Sequence, residues 1–572
     1  MLLLNLNLLA TAPDGVAKLR ELILTLAVQG KLLPQDPSDE PASVLLKKIR
    51  AEKDWLIAEK QIRRSKPLDS IDESECGFDL PENWQWERLG NLGDWGAGAT
   101  PSRSNSNYYG GEIPWFKSGE LATDFISESE ETVTEAALRD CSLRLNQVGD
   151  VLVAMYGATI GKTAILSVVA TTNQAVCACT PFVGLSNTYL LLLMKALKPY
   201  FISIGAGGAQ PNISREKVIA TVIGLPPLAE QSRIVTRVEE LMHLCDALQD
   251  KARLEATQHA QLVATLLGTL TAASGASASD ASAPTSGEPA DPLHARWQRI
   301  APHFDLLLDR PEAVDALEQT ILQLAVRGHL VPQDPQDEPA SALLKKIRAE
   351  KDQLIVERKI KRDKPLPPIA EDEQPFALPA GWSWARFPEL GEFGRGKSKH
   401  RPRNDPALFN PPKYPLIQTG EVSRAKGVVQ EVHSYYSDLG LAQSRMWPKG
   451  TLCITIAANI AESAILGFDS CFPDSVVGFV PANAMGNVEY FLLFVETARA
   501  DLLAFAPATA QKNINLEILS SLLIPVPPLK ELTRIVTRVA QLRRLCADLR
   551  QRLTASQSTQ AHLAEALVQD VA

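Results

Sequence analysis

Two periods of apolar and polar positions run along this chain, and the places where the period changes divide it. Over residues 14–33, Val16, Leu19, Leu22, Ile23, Leu26, Ala27 and Leu33 recur at helical steps. Pro13 and Asp14 supply a helix start, and Gly30 an end. After the turn-rich PQDPSDEPAS (34–43), a second helix from Val44 to Arg64 sets Leu45, Ile49, Leu56, Ile57 and Ile62 roughly on one side. Its KKIR and KQIRRSK runs read either as a solvated face or as a contact for phosphate or an acidic partner.

At Leu80 the period shortens. PENWQWERLGNL (81–92) puts Trp84 and Trp86 at strand alternation, both expected to be buried anchors. Residues 150–157, 163–169 and 175–184 are β-like, and 187–201 reads as one helix. This mix predicts a compact α/β (α+β) domain. The domain exits through GGAQPNISREKVIATVIGLPPL (207–228), which sets Gln210 and Asn212 in a loop before a short helix and strand. Beyond the Pro-Pro border, Ile234, Val238, Leu241, Leu244, Leu248, Leu254, Leu262, Leu266 and Leu270 form a stripe. A helix of about 40 residues is a rod of roughly 60 Å.

All of this happens twice. Residues 26–68 return at 324–366 with about three in four positions identical, a repeat too long to be incidental. PPLAEQSRIVTRVEEL (226–241) returns as PPLKELTRIVTRVAQL (527–542), and PAGWSWARFPEL (379–390) echoes the first tryptophan strand with Trp382 and Trp384. Val314, Leu317, Ile321 and Leu324 match Val16, Leu19, Ile23 and Leu26. A second stripe runs through Ile535, Val539, Leu542, Leu545, Leu549, Leu553, Leu563 and Leu567. Two such stripes are expected to pair as antiparallel coiled-coil helices, or else to lie on a neighbouring globular domain. The expected order is a helical region (1–80), a first insert (81–225), a long helix (226–271) and a small-residue linker (272–292). A second helical region (293–378), a second insert (379–526) and a second long helix (527–572) follow. The frame is constant while the inserts barely resemble each other, which makes an internal pseudo-twofold repeat with two different faces.

With 572 residues the chain is too long for one core. Its eight cysteines contain no CxxC pair, so neither a zinc site nor a disulfide framework is indicated, and reduced thiols in a cytoplasmic protein are expected. The apolar start MLLLNLNLLATAPDG lacks a basic n-region and is too short to span a bilayer, so no membrane role is expected. A net charge of −9 argues against binding nucleic acid by bulk electrostatics, and any such contact needs local basic surfaces or a partner.

Catalytic motifs fail on inspection. GATIGKT (157–163) has three residues between its glycines where a phosphate loop needs four, and the aligned AANIAES (457–463) has lost both glycines and the lysine. A strand–turn–strand with glycine corners fits better, leaving Lys162 free to touch DNA. Asn410, Pro411 and Pro412 precede Lys413, where an adenine methyltransferase needs a ring to stack on a flipped base, so Asn410 reads as a turn residue. Pro473 and Asp474 lack the Glu-x-Lys of a metal-dependent nuclease. The sequence offers no catalytic residues and no metal site.

Recognition chemistry is better represented. The first insert opens with GAGATPSRSNSNYYGGEIPWFKSGEL (96–121), which contains Arg103, Asn105, Asn107, Tyr108, Lys117 and Ser118. The second has GRGKSKHRPRNDPALF (394–409), with Arg395, Lys397, Lys399, Arg401 and Arg403 in nine residues, then Gln418 and Thr419. Near its exit, Gln511, Lys512 and Asn513 stand where Gln210 and Asn212 stand in the first. These side-chain types contact phosphates and base edges, although a solvated basic loop would look the same.

Together LAVQGKLLPQDPSDEPASVLLKKIRAEK, GDVLVAMYGATIGKTAIL, and AQPNIS or QKNINLE followed by PPLAEQSRIV or PPLKELTRIV resemble the specificity subunit of Type I restriction–modification systems over nearly the whole chain. The resemblance implies two target recognition domains, each contacting one half of a split, asymmetric site in double-stranded DNA. It also implies spacer helices that fix the gap and dock two modification (methyltransferase) subunits, and restriction (translocase/nuclease) subunits in the same assembly. The chain would be the non-catalytic component, with S-adenosylmethionine in the modification subunits and ATP and Mg in the restriction subunits. Because AANIAES replaces GATIGKT, no DNA role passes from Lys162 to Glu462. Two rivals remain at this stage: a free-standing methyltransferase–nuclease, and a protein scaffold with two ligand-binding domains and no DNA role.

Overall fold

The computed structural model describes residues 8–205, 212–271, 292–360, 366–400, 402–457, 459–504 and 514–571. The chain forms two compact units, Met1–Glu255 with Gln557–Ala572, and Ala256–Ser556. The linker expected at 272–292 lies, but for Pro292, outside the described residues.

In the first unit the opening helices are Gly15–Val28 and Ala42–Ala58. The first ends at Gly30, whose φ of 71° favours a residue without a Cβ. A Cβ there would also lie 2.4 Å from Pro81 and 3.1 Å from Trp84. Gly328 repeats this with φ 73° and contacts of 2.6 Å to Pro379 and 2.8 Å to Trp382. The left-handed turn thus lets each helix end abut the tryptophan that opens the insert.

Each insert begins and ends in one two-stranded ladder. Gln85–Arg88 pairs antiparallel with Val222–Leu225, and Ser383–Arg386 with Leu523–Val526. Trp84 and Trp382, each one residue before its ladder strand, are buried. Trp86 and Trp384, expected to be buried too, are only half-buried: residues two apart share a face only within a strand, and Trp84 and Trp382 lie before theirs, while Trp86 and Trp384 stand on the ladder and meet Phe78 at 4.8 Å and Phe376 at 5.0 Å.

Inside the ladders, both inserts build a five-stranded sheet of one topology. In the first the order is Gly93–Ala97, Val176–Pro181, Val151–Ala154, Thr163–Leu166, Phe125–Ile126. In the second it is Gly391–Arg395, Val476–Pro481, Leu452–Thr455, Ser463–Leu466, Val428–Val429. Only the last pair in each runs parallel. The central strands are apolar on both faces, as a covered sheet requires. A smaller sheet has three strands in the first insert and four in the second. The helix expected at 187–201 is two, Asn187–Ala196 and Lys198–Gly205.

The long helices are Leu228–Thr271 and Leu529–Val571, of 44 and 43 residues. Near the start of each lies one buried carboxylate. Glu230 accepts from the Trp84 indole at 3.0 Å and the Gln35 amide at 2.8 Å, and Glu531 from Trp382 at 3.1 Å and Gln333 at 2.7 Å. Both are 1% exposed, and burial raises both carboxyls above the ordinary glutamate value. One turn on, Arg233 pairs with Asp39 and Arg534 with Asp337. Ile234, Val238 and Cys245 enter the first unit's main core, and Ile535, Val539 and Cys546 that of the second. Leu244, Leu254, Leu262, Leu545 and Leu563, members of the expected stripes, each keep more than half of their surface. The buried line is displaced from them to Cys245, Val263, Leu267, Cys546 and Ala564.

Glu531→Ala leaves the buried Trp382 indole without an acceptor, at about 1–3 kcal/mol, while the exposed Gln333 amide keeps the Gly328 carbonyl. The expected result is a fall of about 1–3 kcal/mol in the stability of the second unit, measured by urea denaturation. Glu531→Gln, which keeps one acceptor, should lose less.

Candidate nucleic-acid interface

In the first insert the loop after strand Gly93–Ala97 is held by its own polar residues. Asn105 caps the short turn Ser106–Tyr108 through the Asn107 N–H at 3.2 Å, and Thr134 donates to the Asn107 carbonyl at 2.8 Å. Tyr108 packs beside Trp115 and Val133. Arg103 lies 4.6 Å above the Tyr109 ring and 5.3 Å from that of Trp115. Its guanidinium is bound by Glu131, which also accepts from Lys117 at 3.1 Å, while Glu130 accepts from Lys117 at 2.8 Å. The hydrogen bonds from Arg103 first, then Lys117, hold the Glu131 carboxyl down at about 2.

Lys117 leads into the turn Ser118–Glu120, whose Glu120 carboxylate accepts from the Lys117 and Glu130 N–H groups. The Lys162 ammonium reaches the Gly119 carbonyl at 3.5 Å, a long contact that leaves it available. GATIGKT forms the expected strand–turn–strand, and Asn212 bridges Tyr156 at its edge. Arg103 and Lys117 thus meet at Glu131, and Lys162 reaches the turn that Lys117 and Ser118 open, while Asn212 pairs with Tyr156 at the edge of the GATIGKT turn. Gln210 lies outside the described residues.

The second insert handles its cations in a related way. Arg395, ending its strand, donates Nε–H to the Asp474 carbonyl at 2.9 Å, and Arg403 pairs with the Asp474 carboxylate at 3.0 and 3.1 Å. Lys397 and Lys399 are exposed and have no ion pair among the described residues; their backbone N–H groups donate to the Phe472 carbonyl and the Gln443 side chain. Gln418 precedes helix Thr419–Arg424 and donates its N–H to Glu421 at 3.0 Å. Beside it opens a cleft of about 300 Å³ lined by Glu421, Arg424, Lys426, Gln430 and His433. Arg401, Gln511, Lys512 and Asn513 lie outside the described residues. Asn410 sits in an exposed bend.

Several participants carry no sequence signal beyond their charge. Glu131 and Asp474 are the counter-ions of candidate cations. Arg144 pairs with Asp94 at 3.0 Å, and Arg445 with Glu392 at 2.6 Å, on the same strand of each insert's sheet. The Arg144 guanidinium packs on Gly96, and that of Arg445 lies 4.0 Å over Trp447. Both arginines fix the strand from whose end the polar loop departs.

Among the described residues no cluster of His, Cys, Asp or Glu is suited to a metal, and no helix is long and apolar enough to cross a membrane.

The depressed Glu131 carboxyl sets a pH window. A folded-state value below the ordinary 4.5 stabilises the loop above that pH, and the stabilisation is lost as pH falls through about 2. Near-ultraviolet circular dichroism of Tyr109 and Trp115, on which Arg103 stacks, should change over that interval. Glu131→Gln should show the changed signal already at neutral pH.

The family model described as "Type I restriction modification DNA specificity domain" matches residues 81–258 and 379–556. The EcoEI and EcoAI Type I restriction enzyme specificity subunits of Escherichia coli are each 33% identical to this chain, over 97% of it and 93% of their own length. A solved structure titled as an HsdS subunit from Thermoanaerobacter tengcongensis is 16% identical, with a TM-score of 0.37 over 86% of this chain and 98% of that one. The two family matches fall on the two inserts and the first part of the helix after each, and both Escherichia coli relatives run nearly end to end: the chain belongs to the Type I restriction–modification specificity subunits, with two DNA specificity domains and no catalytic role of its own.

Proposed function

We propose that residues 81–225 and 379–526 each contact one half of a bipartite, asymmetric site in double-stranded DNA. The observation that carries this is the construction of the inserts: one sheet topology on one duplicated frame, with different loops. Equivalent loops can then face a duplex while asking for different bases. In the first, Arg103, Asn105, Asn107, Tyr108, Lys117, Ser118, Lys162, Gln210 and Asn212 are the candidates. In the second they are Arg395, Lys397, Lys399, Arg401, Arg403, Gln418, Thr419, Gln511, Lys512 and Asn513. The exposed ammoniums of Lys397 and Lys399 suit phosphates, and the amides and hydroxyls suit base edges.

The helices 226–271 and 527–572 act as spacers and dock two modification subunits, which bring S-adenosylmethionine. Restriction subunits using ATP and Mg complete a cytoplasmic assembly. With a net charge of −9, this chain leaves much of the non-specific phosphate contact to those partners.

Exchanging residues 81–225 for the insert of another specificity subunit should change the first half-site alone, read by methylome sequencing of cells that also express the modification subunit. Arg395→Ala or Arg403→Ala should relax only the second half-site or weaken its binding, by about 1–3 kcal/mol for a base contact. Unaltered affinity and preference in a gel shift with the partner complex would remove that loop from the interface.

A further inference from the structure

The two inserts differ in charge at one structurally equivalent pair of positions. The Lys162 carbonyl accepts from the Ala154 N–H at 2.8 Å, and the Glu462 carbonyl from the Thr455 N–H at 2.9 Å. Lys162 and Glu462 therefore occupy the same place, just before strands Thr163–Leu166 and Ser463–Leu466. On the following helices, Tyr189 and Tyr490 are both fully buried, and Lys198 and Arg499 stand at the same distance along the chain from them. In the second insert the pair closes on itself, as Arg499 is bound by the Glu462 carboxylate. These two positions are thus within reach of one another.

In the first insert both positions are lysine. The Lys198 stem lies against Gly161, where a Cβ would come within 2.6 Å of its Cγ, and Gly161 immediately precedes Lys162. Lys162 has only the long contact to the Gly119 carbonyl, and Lys198 is exposed, with no ion pair or hydrogen bond among the described residues. Two cations that share one glycine corner repel unless an anion lies between them. Gly119 belongs to the turn Ser118–Glu120 that Lys117 leads into, so the corner is continuous with the candidate interface.

We propose that Lys162 and Lys198 form a clamp for one DNA phosphate in the first recognition domain, and that the Glu462–Arg499 ion pair closes the corresponding site in the second. This rests on the DNA-reading role of the inserts. The clamp anchors the first domain without reading a base, so the two half-sites are held unequally.

The test uses the specificity subunit assembled with its modification subunits and a fluorescent duplex carrying the full site, with affinity measured by anisotropy across a potassium chloride series. Lys198→Ala should weaken binding at every salt concentration. It should also make the slope of log affinity against log salt shallower by about 0.9 for the lost phosphate contact. Lys198→Arg keeps the charge and should keep the slope. Lys162→Glu, which recreates the closed pair, should shallow it at least as much, while Glu462→Gln frees Arg499 and should steepen it. The methylation sequence at both half-sites should stay the same in every variant.

Unchanged slopes in both lysine variants would overturn the clamp. So would a changed first half-site, which would mean that the lysines read bases. Failure of the unmodified assembly to bind the duplex would instead count against the recognition role of the chain.

Discussion

The architecture depends on a carboxylate taken out of water near the start of each long helix. Glu230 and Glu531 are among the least exposed acids in the chain, and each is held by a tryptophan indole and a glutamine amide. Burying an acid is unfavourable, as the raised carboxyl values record, and the position is tolerable only because both donors are aimed at it. The three partners come from different parts of the frame: the turn after the first helix, the residue just before the insert's first strand, and the long helix. One acid therefore ties the entrance of the insert to the rod that leaves it. A hydrophobic contact at the same place would hold these elements together with less definition of angle, because apolar packing is not directional.

That tie explains how the inserts can diverge without disturbing the frame. The chain enters and leaves each insert through neighbouring antiparallel strands, so the insert is a closed excursion whose ends do not move. The frame also caps the excursion. Glu350 accepts the N–H groups of Asn483 and Ala484, and Glu52, its counterpart, accepts that of Val183. Within this boundary the five-stranded sheet keeps its order, while the smaller sheet and the polar loops change strand number, length and charge. Variation is confined to the part that the ladders and caps do not touch.

Much of this was legible in the sequence because it repeats. The frame helices, the inserts' strands and the long helices all follow from period and duplication, and Gly30 marks the end of the first opening helix. Alternation puts residues two apart on one face, which is why all four tryptophans are expected in the core, but Trp84 and Trp382 lie one residue before their strands, where that rule does not reach, and Trp86 and Trp384 are only half-buried. In the long helices, leucine is the obvious seam residue, yet Cys245 and Cys546 are buried where Leu244 and Leu545 are exposed, because the globular body sets the line. The candidate interface was legible as amides, hydroxyls and cations. Their counter-ions were not, since Glu131 lies 28 residues from Arg103 and Asp474 lies 71 from Arg403, distances over which period says nothing. Pairing of that kind is a property of the folded loop.

Those counter-ions bear on how an acidic chain can choose among DNA sequences. A free surface arginine binds any phosphate, whereas in the proposed interface Arg103 would have to exchange Glu131, and Arg403 Asp474, for whatever the duplex offers. Each exchange is close to neutral for a phosphate alone, since one charge-assisted hydrogen bond replaces another. It becomes favourable when the loop also gains a base-edge contact that the carboxylate cannot supply. Intramolecular pairing thus subtracts from the sequence-independent part of the affinity and leaves the base-dependent part intact, which raises the ratio between them. On the proposed reading, cations without such partners, Lys397 and Lys399 in one insert and Lys162 and Lys198 in the other, would contribute the opposite term. On that reading the balance between paired and unpaired cations, rather than their number, would set how far each domain discriminates.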